Sequence, residues 1–205
     1  MQTFNRSNVL IFKLITIIFF CPLIFVLSAS FCMADGKKDF QDAENLWQQN
    51  IMGPSAKLYQ KAIKSGELTK EQLVTAHYNM AINYFFSDPR GVIIEIDSII
   101  KLQPTNGDAF ALRADAWSML QEDERALADW KKALDLNPTD SISYNNRSIF
   151  YEKRGDFELA IMDLEKYIQL EPDEEERKAD LARLKDQMQK KEQKEQKEQK
   201  EQKMI

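Results

Sequence analysis

The chain contains few of the residues that build catalytic or metal sites. Only one of its 205 residues is histidine, His77, and only two are cysteine, Cys21 and Cys32. A zinc site needs several such ligands, so this composition cannot supply one of the usual kind. The sequence also lacks the motifs of serine hydrolases, phosphate-binding loops and zinc proteases. We therefore predict no catalytic residue, no metal and no cofactor, and a protein that is not an enzyme.

The first 34 residues differ in composition from the rest of the chain. Arg6 and Lys13 are their only charged residues, an uncharged apolar run follows over residues 14–31, and a small residue, Ala34, ends the segment. This order is typical of a secretory signal peptide that is cleaved after Ala34. The alternative is an uncleaved membrane anchor, because the apolar run is long enough to span ~30 Å of hydrocarbon as a helix.

Cleavage would also change the chemistry of the remaining chain. Both cysteines would be lost, so no disulfide could form. Two of the 28 basic residues and none of the 33 acidic ones would leave with the segment, which gives a net charge of 26 − 33 = −7. Such an acidic surface is a poor partner for nucleic-acid phosphates or anionic lipid. We predict no nucleic-acid binding, and membrane contact only through an uncleaved N-terminal segment.

A period of 34 residues runs through the second half of the chain. Each repeat ends in a leucine followed two residues later by proline, at Pro104, Pro138 and Pro172. Two further columns hold small or β-branched residues, namely Ala81, Ala114 and Ser148 in the first halves and Val92, Ala126 and Ala160 in the second halves. In the first halves the spacing is 33 and then 34 residues, so the first repeat is one residue shorter in its turn.

Each repeat is predicted to form two antiparallel helices. The apolar residues of the second halves recur at i, i+4 and i+7, as in an amphipathic helix. The two columns of small residues would face each other and let the helix backbones approach closely. Gly155 and Asp156 supply a helix end followed by a cap, and Asp88 precedes a proline at the first helical position. After each closing proline comes a further cap candidate, at Asn106, Asp140 and Asp173.

Two other columns carry opposite charges, arginine on the first helix and aspartate on the second. The predicted ion pairs, within ~4 Å, are Arg113–Asp129 and Arg147–Asp163. The first repeat has Met80 and Glu95 at these positions and so would lack the pair. For His77 we expect a partly exposed helical residue, since no acidic residue is recognisably paired with it.

The stretch YNNRSIFYEKRGDFELAIMDLEKYIQLEP, residues 144–172, resembles the tetratricopeptide repeat. That family has an aromatic-x2-Leu-Gly-x2-Tyr first helix, an Ala-x3-aromatic second helix and a closing proline. This chain departs from it at Ala114 and Ser148, where glycine is usual, and at Gln121, where a turn glycine is common. The resemblance covers residues 40–172. It implies an all-α, right-handed solenoid of helix-turn-helix repeats and, together with the leader, similarity to secreted or periplasmic bacterial proteins of this kind.

The predicted organisation follows from the repeats. The segments are a signal peptide or anchor (1–34), a degenerate helical pair (35–72), three repeats (73–172), a capping helix (173–189) and a Lys/Glu/Gln tail (190–205). Thr69 with Gln72 forms a capping-box pattern at the start of the next helix. Leu181, Leu184 and Met188 would give the capping helix its apolar stripe. The tail has a period of three and no apolar seam, so it is predicted as a solvated, frayed extension of that helix rather than a coiled coil.

In solenoids of this kind the first helices line a concave groove. The candidate groove residues are Tyr78, Ile82, Phe85, Phe86, Asp115, Met119, Asn145, Ile149 and Lys153, with Ser118 and Asn146 as further candidates on the same helices. Adjacent phenylalanines on one helix cannot both point into the same core. We therefore expect Phe85 or Phe86 to face the groove. The alternative is that one of them packs against the degenerate N-terminal pair. We expect a non-enzymatic interaction module, or adaptor, that binds a peptide or partner helix in the periplasm. The alternatives are a self-associating structural component of the envelope and a protein anchored in the inner membrane.

Overall fold

A computed structural model describes residues 35–202, and this part of the chain is helical apart from its connecting loops. The helices are α1 Gly36–Gln48, α2 Met52–Ser65, α3 Lys70–Tyr84, α4 Pro89–Leu102, α5 Gly107–Met119, α6 Asp123–Leu136, α7 Ser141–Arg154, α8 Phe157–Leu170 and α9 Glu175–Gln202. The predicted signal peptide and the last three residues of the tail lie outside the described residues. Within residues 35–202, no helix combines the length and apolarity that crossing a membrane requires. The chain divides into two compact units, one up to Gln72 and one from Leu73 onward.

The first unit contains the predicted degenerate pair, in which α1 packs against α2. Ala43 of α1 and Tyr59 and Ala62 of α2 are fully buried. The Tyr59 ring meets Phe40 edge-on at 5.9 Å, and its hydroxyl donates a hydrogen bond to Glu44. The α3 helix begins with the predicted capping box, because Thr69 N donates to Gln72 Oε1 at 3.0 Å and Gln72 N donates to Thr69 Oγ1 at 3.3 Å.

The second unit is built from consecutive helix pairs, as the repeat predicted. All six residues of the two small columns are buried: Ala81, Ala114, Ser148, Val92, Ala126 and Ala160. These side chains take little space, so paired helices pack closely. Larger apolar residues fill the layers between pairs, including Ile96 and Ile99 of α4 and Trp130 of α6.

The closing prolines set the ends of the second helices. The residues before Pro104, Pro138 and Pro172 are helix C-caps with φ of −135°, −134° and −124°. Proline disfavours helical geometry in the residue before it, so each helix ends there. Asn106 and Asp140 then cap α5 and α7 through their side chains, as predicted. The predicted cap at Asp173 is wrong, because α9 begins at Glu175 and only the main-chain carbonyl of Asp173 accepts from Glu175 N.

The turns inside the repeats reproduce their differences in length. Gly155 is left-handed at φ +76°, and Asp156 N donates to Tyr151 O across it. Gln121 takes the same conformation at φ +60°, with the equivalent bond from Glu122 N to the carbonyl of residue 117. In the shorter first repeat, the main-chain N–H of the residue before α4 donates to the carbonyl four residues earlier, at the end of α3, whereas the other two turns span five residues. The expected deletion therefore lies in this turn.

The long C-terminal helix covers the last repeat. Leu184 is buried against Ala160, Ile161 and Leu164, with Leu181 and Met188 packed beside it. Lys191 still reaches the repeat, since its Nζ donates to Gly155 O at 3.0 Å. The predicted capping helix and the described part of the tail form one continuous helix. The tail is exposed, and its ion pairs have long N–O distances, as in Lys194–Glu198 at 3.8 Å.

Candidate interaction cleft

A cleft of about 280 Å³ lies in the second unit, between the turn that follows α3 and the helices α5, α6 and α7. We call it the groove cleft. It brings together most of the predicted groove residues, namely Phe85, Phe86, Asp115, Met119, Ile149 and Lys153. Two further candidates, Ser118 and Asn146, also line it, together with Trp130 and Phe150, which had not been predicted. Residues far apart in the chain therefore share one concave surface.

Three predicted groove residues do not line this cleft. Tyr78 is exposed and lies in α3, seven residues before Phe85. Ile82 is half-buried on the same helix. Asn145 is half-buried, and its Oδ1 atom is buried without a hydrogen-bond partner. Its neighbour Asn146 faces the cleft instead, because adjacent helical residues point about 100° apart.

Phe85 and Phe86 have different environments. The prediction that both lie on a helix is wrong, because α3 ends at Tyr84 and both residues belong to the following turn. Phe85 packs against the apolar core of α3, α4 and α5. Phe86 is 90% exposed, with its ring perpendicular to that of Phe85 at 5.1 Å. The turn thus holds one phenylalanine as an anchor and presents the other to solvent at the edge of the cleft.

Asp115 is the acidic residue of the cleft. Its Oδ1 atom accepts a hydrogen bond from Trp130 Nε1 at 3.0 Å, and its Oδ2 atom accepts one from Asn146 Nδ2 at 2.8 Å. Burial raises the pKa of Asp115 to about 6, with a smaller contribution from Asp140, while the two hydrogen bonds act in the opposite direction. The sequence contained a signal for this contact, since a tryptophan in a column of aliphatic core residues needs an acceptor for its N–H group.

The two predicted ion pairs are confirmed. Arg113 Nε and Nη2 bind Asp129 at 2.7 and 2.8 Å, and Arg147 binds Asp163 with the same two distances. Arg113 also bonds Asp97 of the preceding repeat at 2.6 Å. These hydrogen bonds raise the pKa of Arg113 above its ordinary value. Both pairs join the first helix of a repeat to the second and are structural.

His77 is a helical residue of intermediate exposure, as expected, but the expectation that it has no acidic partner is wrong. Its Nδ1 atom lies 2.6 Å from Glu95 Oε2, and the two side chains are only 14% and 13% exposed. Glu95 occupies the repeat position of Asp129 and Asp163. The position of their arginine partners is held by Met80 in this repeat, so Glu95 pairs instead with His77, one turn earlier on α3. The described residues contain no cluster of histidine and acidic side chains able to hold a metal ion. The His77–Glu95 pair therefore joins two helices as the arginine pairs do.

Comparison with known proteins agrees with this architecture. Residues 130–162 match the family model of the tetratricopeptide repeat, which here spans parts of α6 and α8 and the whole of α7. No curated protein sequence matches the chain.

Several solved structures share the fold at low identity. YrrB, described as a TPR protein with an unusual peptide-binding site, is 13% identical with a TM-score of 0.59, over 68% of this chain and 70% of that one. MamA 41-end from Desulfovibrio magneticus RS-1 is 16% identical with a TM-score of 0.60, over 81% and 98%. The TPR2B domain of yeast Sti1, solved as a pHsp70 complex, is 17% identical with a TM-score of 0.51, over 58% and 98%. Residues 130–162 therefore match a tetratricopeptide repeat, and the fold of the described residues is that of tetratricopeptide-repeat proteins.

Proposed function

We propose that this protein is a non-enzymatic protein–protein interaction module that binds a peptide or a partner helix in the groove cleft. The observation that carries the proposal is Phe86, which is 90% exposed at the edge of a concave surface. An exposed phenylalanine gains most by becoming buried in a complex, and aromatic residues often dominate binding energy at interfaces. Met119, also exposed, and Ile149 extend the apolar surface on the facing helices.

The remainder of the cleft supports specific recognition. Lys153 is exposed on its rim, and Asn146 and Asp115 add polar groups between the apolar walls. Clefts with apolar walls and a few fixed polar groups are typical binding sites. Two proteins of the same fold support the proposal by analogy, since YrrB is described with a peptide-binding site and the Sti1 domain as a pHsp70 complex.

Selection from a phage-displayed library of random 12-residue peptides tests the proposal without a known partner. Peptides enriched on the wild-type protein are synthesised and their affinities are measured for Phe86→Ser. We expect a loss of about tenfold or more, because an aromatic hot spot is removed. Ile94→Ser is the matched control, since Ile94 is 65% exposed on α4 and does not line the cleft. Failure to enrich any peptide, or equal losses in both variants, contradicts the proposal.

We further propose that the protein is exported and acts in the bacterial cell envelope, most simply in the periplasm. The composition of residues 1–34 supports this proposal. Fractionation of the native cells with N-terminal sequencing provides the test. A periplasmic protein that begins at Asp35 supports cleavage, and a membrane-bound protein that begins at Met1 supports the anchor. Recovery in the cytoplasm contradicts both.

A further inference from the structure

We propose that the groove cleft contains a subsite for a cationic side chain, in which the Asp115 carboxylate binds the ammonium or guanidinium group of a lysine or arginine of the bound peptide. This inference rests on the proposed function, because it specifies what the peptide must present. It adds a chemical requirement that the apolar walls alone do not impose.

The position of the carboxylate is fixed from two sides. Trp130 of α6 donates to one oxygen and Asn146 of α7 donates to the other, so Asp115 is held by residues from both neighbouring helices. An ionised carboxylate offers about four acceptor positions. Two are used, and each oxygen can therefore accept a further hydrogen bond from a group that enters the cleft.

The charge of Asp115 is not neutralised within the protein. Both of its donors are uncharged, and among residues 35–202 no lysine, arginine or histidine lies within ion-pair distance of it. Asp129 and Asp163, the buried aspartates of these repeats, each have an arginine. The nearby Asp140 adds negative charge. The floor of the cleft is therefore complementary to a cation.

The walls fit the rest of a lysine or arginine side chain. Both residues bury an aliphatic stem along apolar surface while the charged head bonds elsewhere. Met119 and Ile149 provide aliphatic surface, and Phe85 and Phe86 provide rings that attract a cation at close range. A hydrogen bond between ionised partners is stronger than one between neutral groups, particularly where water is partly excluded.

Three degenerate nonapeptide pools test the charge requirement. Each has a fixed central residue, arginine, glutamine or glutamate, with four mixed positions on either side. Affinities for the full-length protein are measured by competition with a fluorescent peptide selected from the phage library. We expect the arginine pool to bind wild type about tenfold more tightly than the glutamine pool, and the glutamate pool to bind most weakly.

Asp115→Asn keeps the side-chain size and an acceptor for Trp130 but removes the charge. In this variant we expect the preference for arginine over glutamine to disappear. Glu124→Gln is the matched control for net charge, because Glu124 is exposed on α6 and does not line the cleft. It should keep the preference. Lys153→Ala should keep or increase it, since Lys153 is a cation on the rim.

A second measurement does not depend on a variant that folds. Burial places the pKa of Asp115 near 6, so the arginine preference of wild type should decline as the pH falls from 7.5 toward ~5. Asp140 at the N-cap of α7 is the charged group that acts on Asp115, and Lys153 is the cation on the rim of the cleft.

The outcomes separate this inference from the proposed function. If wild type binds the glutamine or glutamate pool as tightly as the arginine pool, or if Asp115→Asn keeps the arginine preference, the cationic subsite is wrong while peptide binding stands. If no pool competes with the selected peptide and Phe86→Ser does not weaken that peptide, both the subsite and the proposed function are wrong.

Discussion

Trp130 donates a hydrogen bond of 3.0 Å to Asp115, and this contact joins the core of the repeats to the floor of the groove cleft. The indole is 1% exposed and meets Phe150 edge-on at 5.1 Å. One residue thus fills the layer between two repeats and orients the acidic residue of the proposed binding surface. Packing and function are coupled at this point.

Trp130→Phe should therefore destabilise the protein through two effects. It removes a hydrogen bond to a carboxylate and leaves a small cavity, which together cost about 2–4 kcal/mol. Urea denaturation gives the free energy of unfolding. A double-mutant cycle with Asp115→Ala, which removes the acceptor, should show a coupling of about 1–2 kcal/mol. Additive effects of the two substitutions would mean that the hydrogen bond does not stabilise the fold.

The raised pKa of Asp115 makes stability depend on pH. In the unfolded chain the group titrates near its ordinary pKa of about 4, and in the folded protein near 6, so folding favours the protonated form. This stabilisation is fully present below about pH 4 and is lost as the pH rises to about 6. The difference in unfolding free energy between wild type and Asp115→Asn should change by at most about 3 kcal/mol over this window. A difference that does not vary with pH would contradict the assignment.

Gln121 occupies a left-handed position that suits glycine. A side chain at positive φ costs about 1–2 kcal/mol, partly offset by the lower entropy of a non-glycine residue in the unfolded chain. Gln121→Gly should therefore stabilise the protein by about 0.5–1 kcal/mol. Gly155 provides the reverse experiment, because a Cβ atom there would meet nothing within 4 Å. Gly155→Ala should destabilise by a similar amount, and thermal denaturation of both variants checks the opposite signs.

The Arg147–Asp163 pair tests how the helices of a repeat are joined. Arg147→Met would leave the nearly buried carboxylate of Asp163 without a cation and should cost about 3–5 kcal/mol. The combination Arg147→Met with Asp163→Leu removes both charges and should recover most of this loss. Chemical denaturation gives both values. A cost of the single substitution below about 1 kcal/mol would show that the pair is not structurally important.

The sequence predicted the fold well because the repeat encodes local rules several times. The small columns and the closing prolines recur in all three repeats, and the Arg–Asp columns recur in two, so one interpretation had to fit several segments at once. Ala114 and Ala126, for example, could be predicted to face each other because the equivalent positions of the other two repeats also hold small or β-branched residues.

The features that the sequence analysis missed occur where the repeats differ. Glu95 pairs with His77 because Met80 stands where the other repeats have arginine. A histidine one turn before this position has no equivalent in the other repeats, so the period could not predict the pair. Phe85 and Phe86 lie in the shortened turn, where the alignment offers no template. The contacts of Asp115 join residues 15 and 31 positions away, a relation that depends on side-chain geometry rather than on period.

The most direct test of the proposed function is the affinity of one selected 12-residue peptide for wild type, Phe86→Ser and Ile94→Ser. The groove cleft predicts binding about tenfold or more weaker to Phe86→Ser and unchanged binding to Ile94→Ser. Equal affinity for wild type and Phe86→Ser would contradict the assignment of this cleft as the binding site.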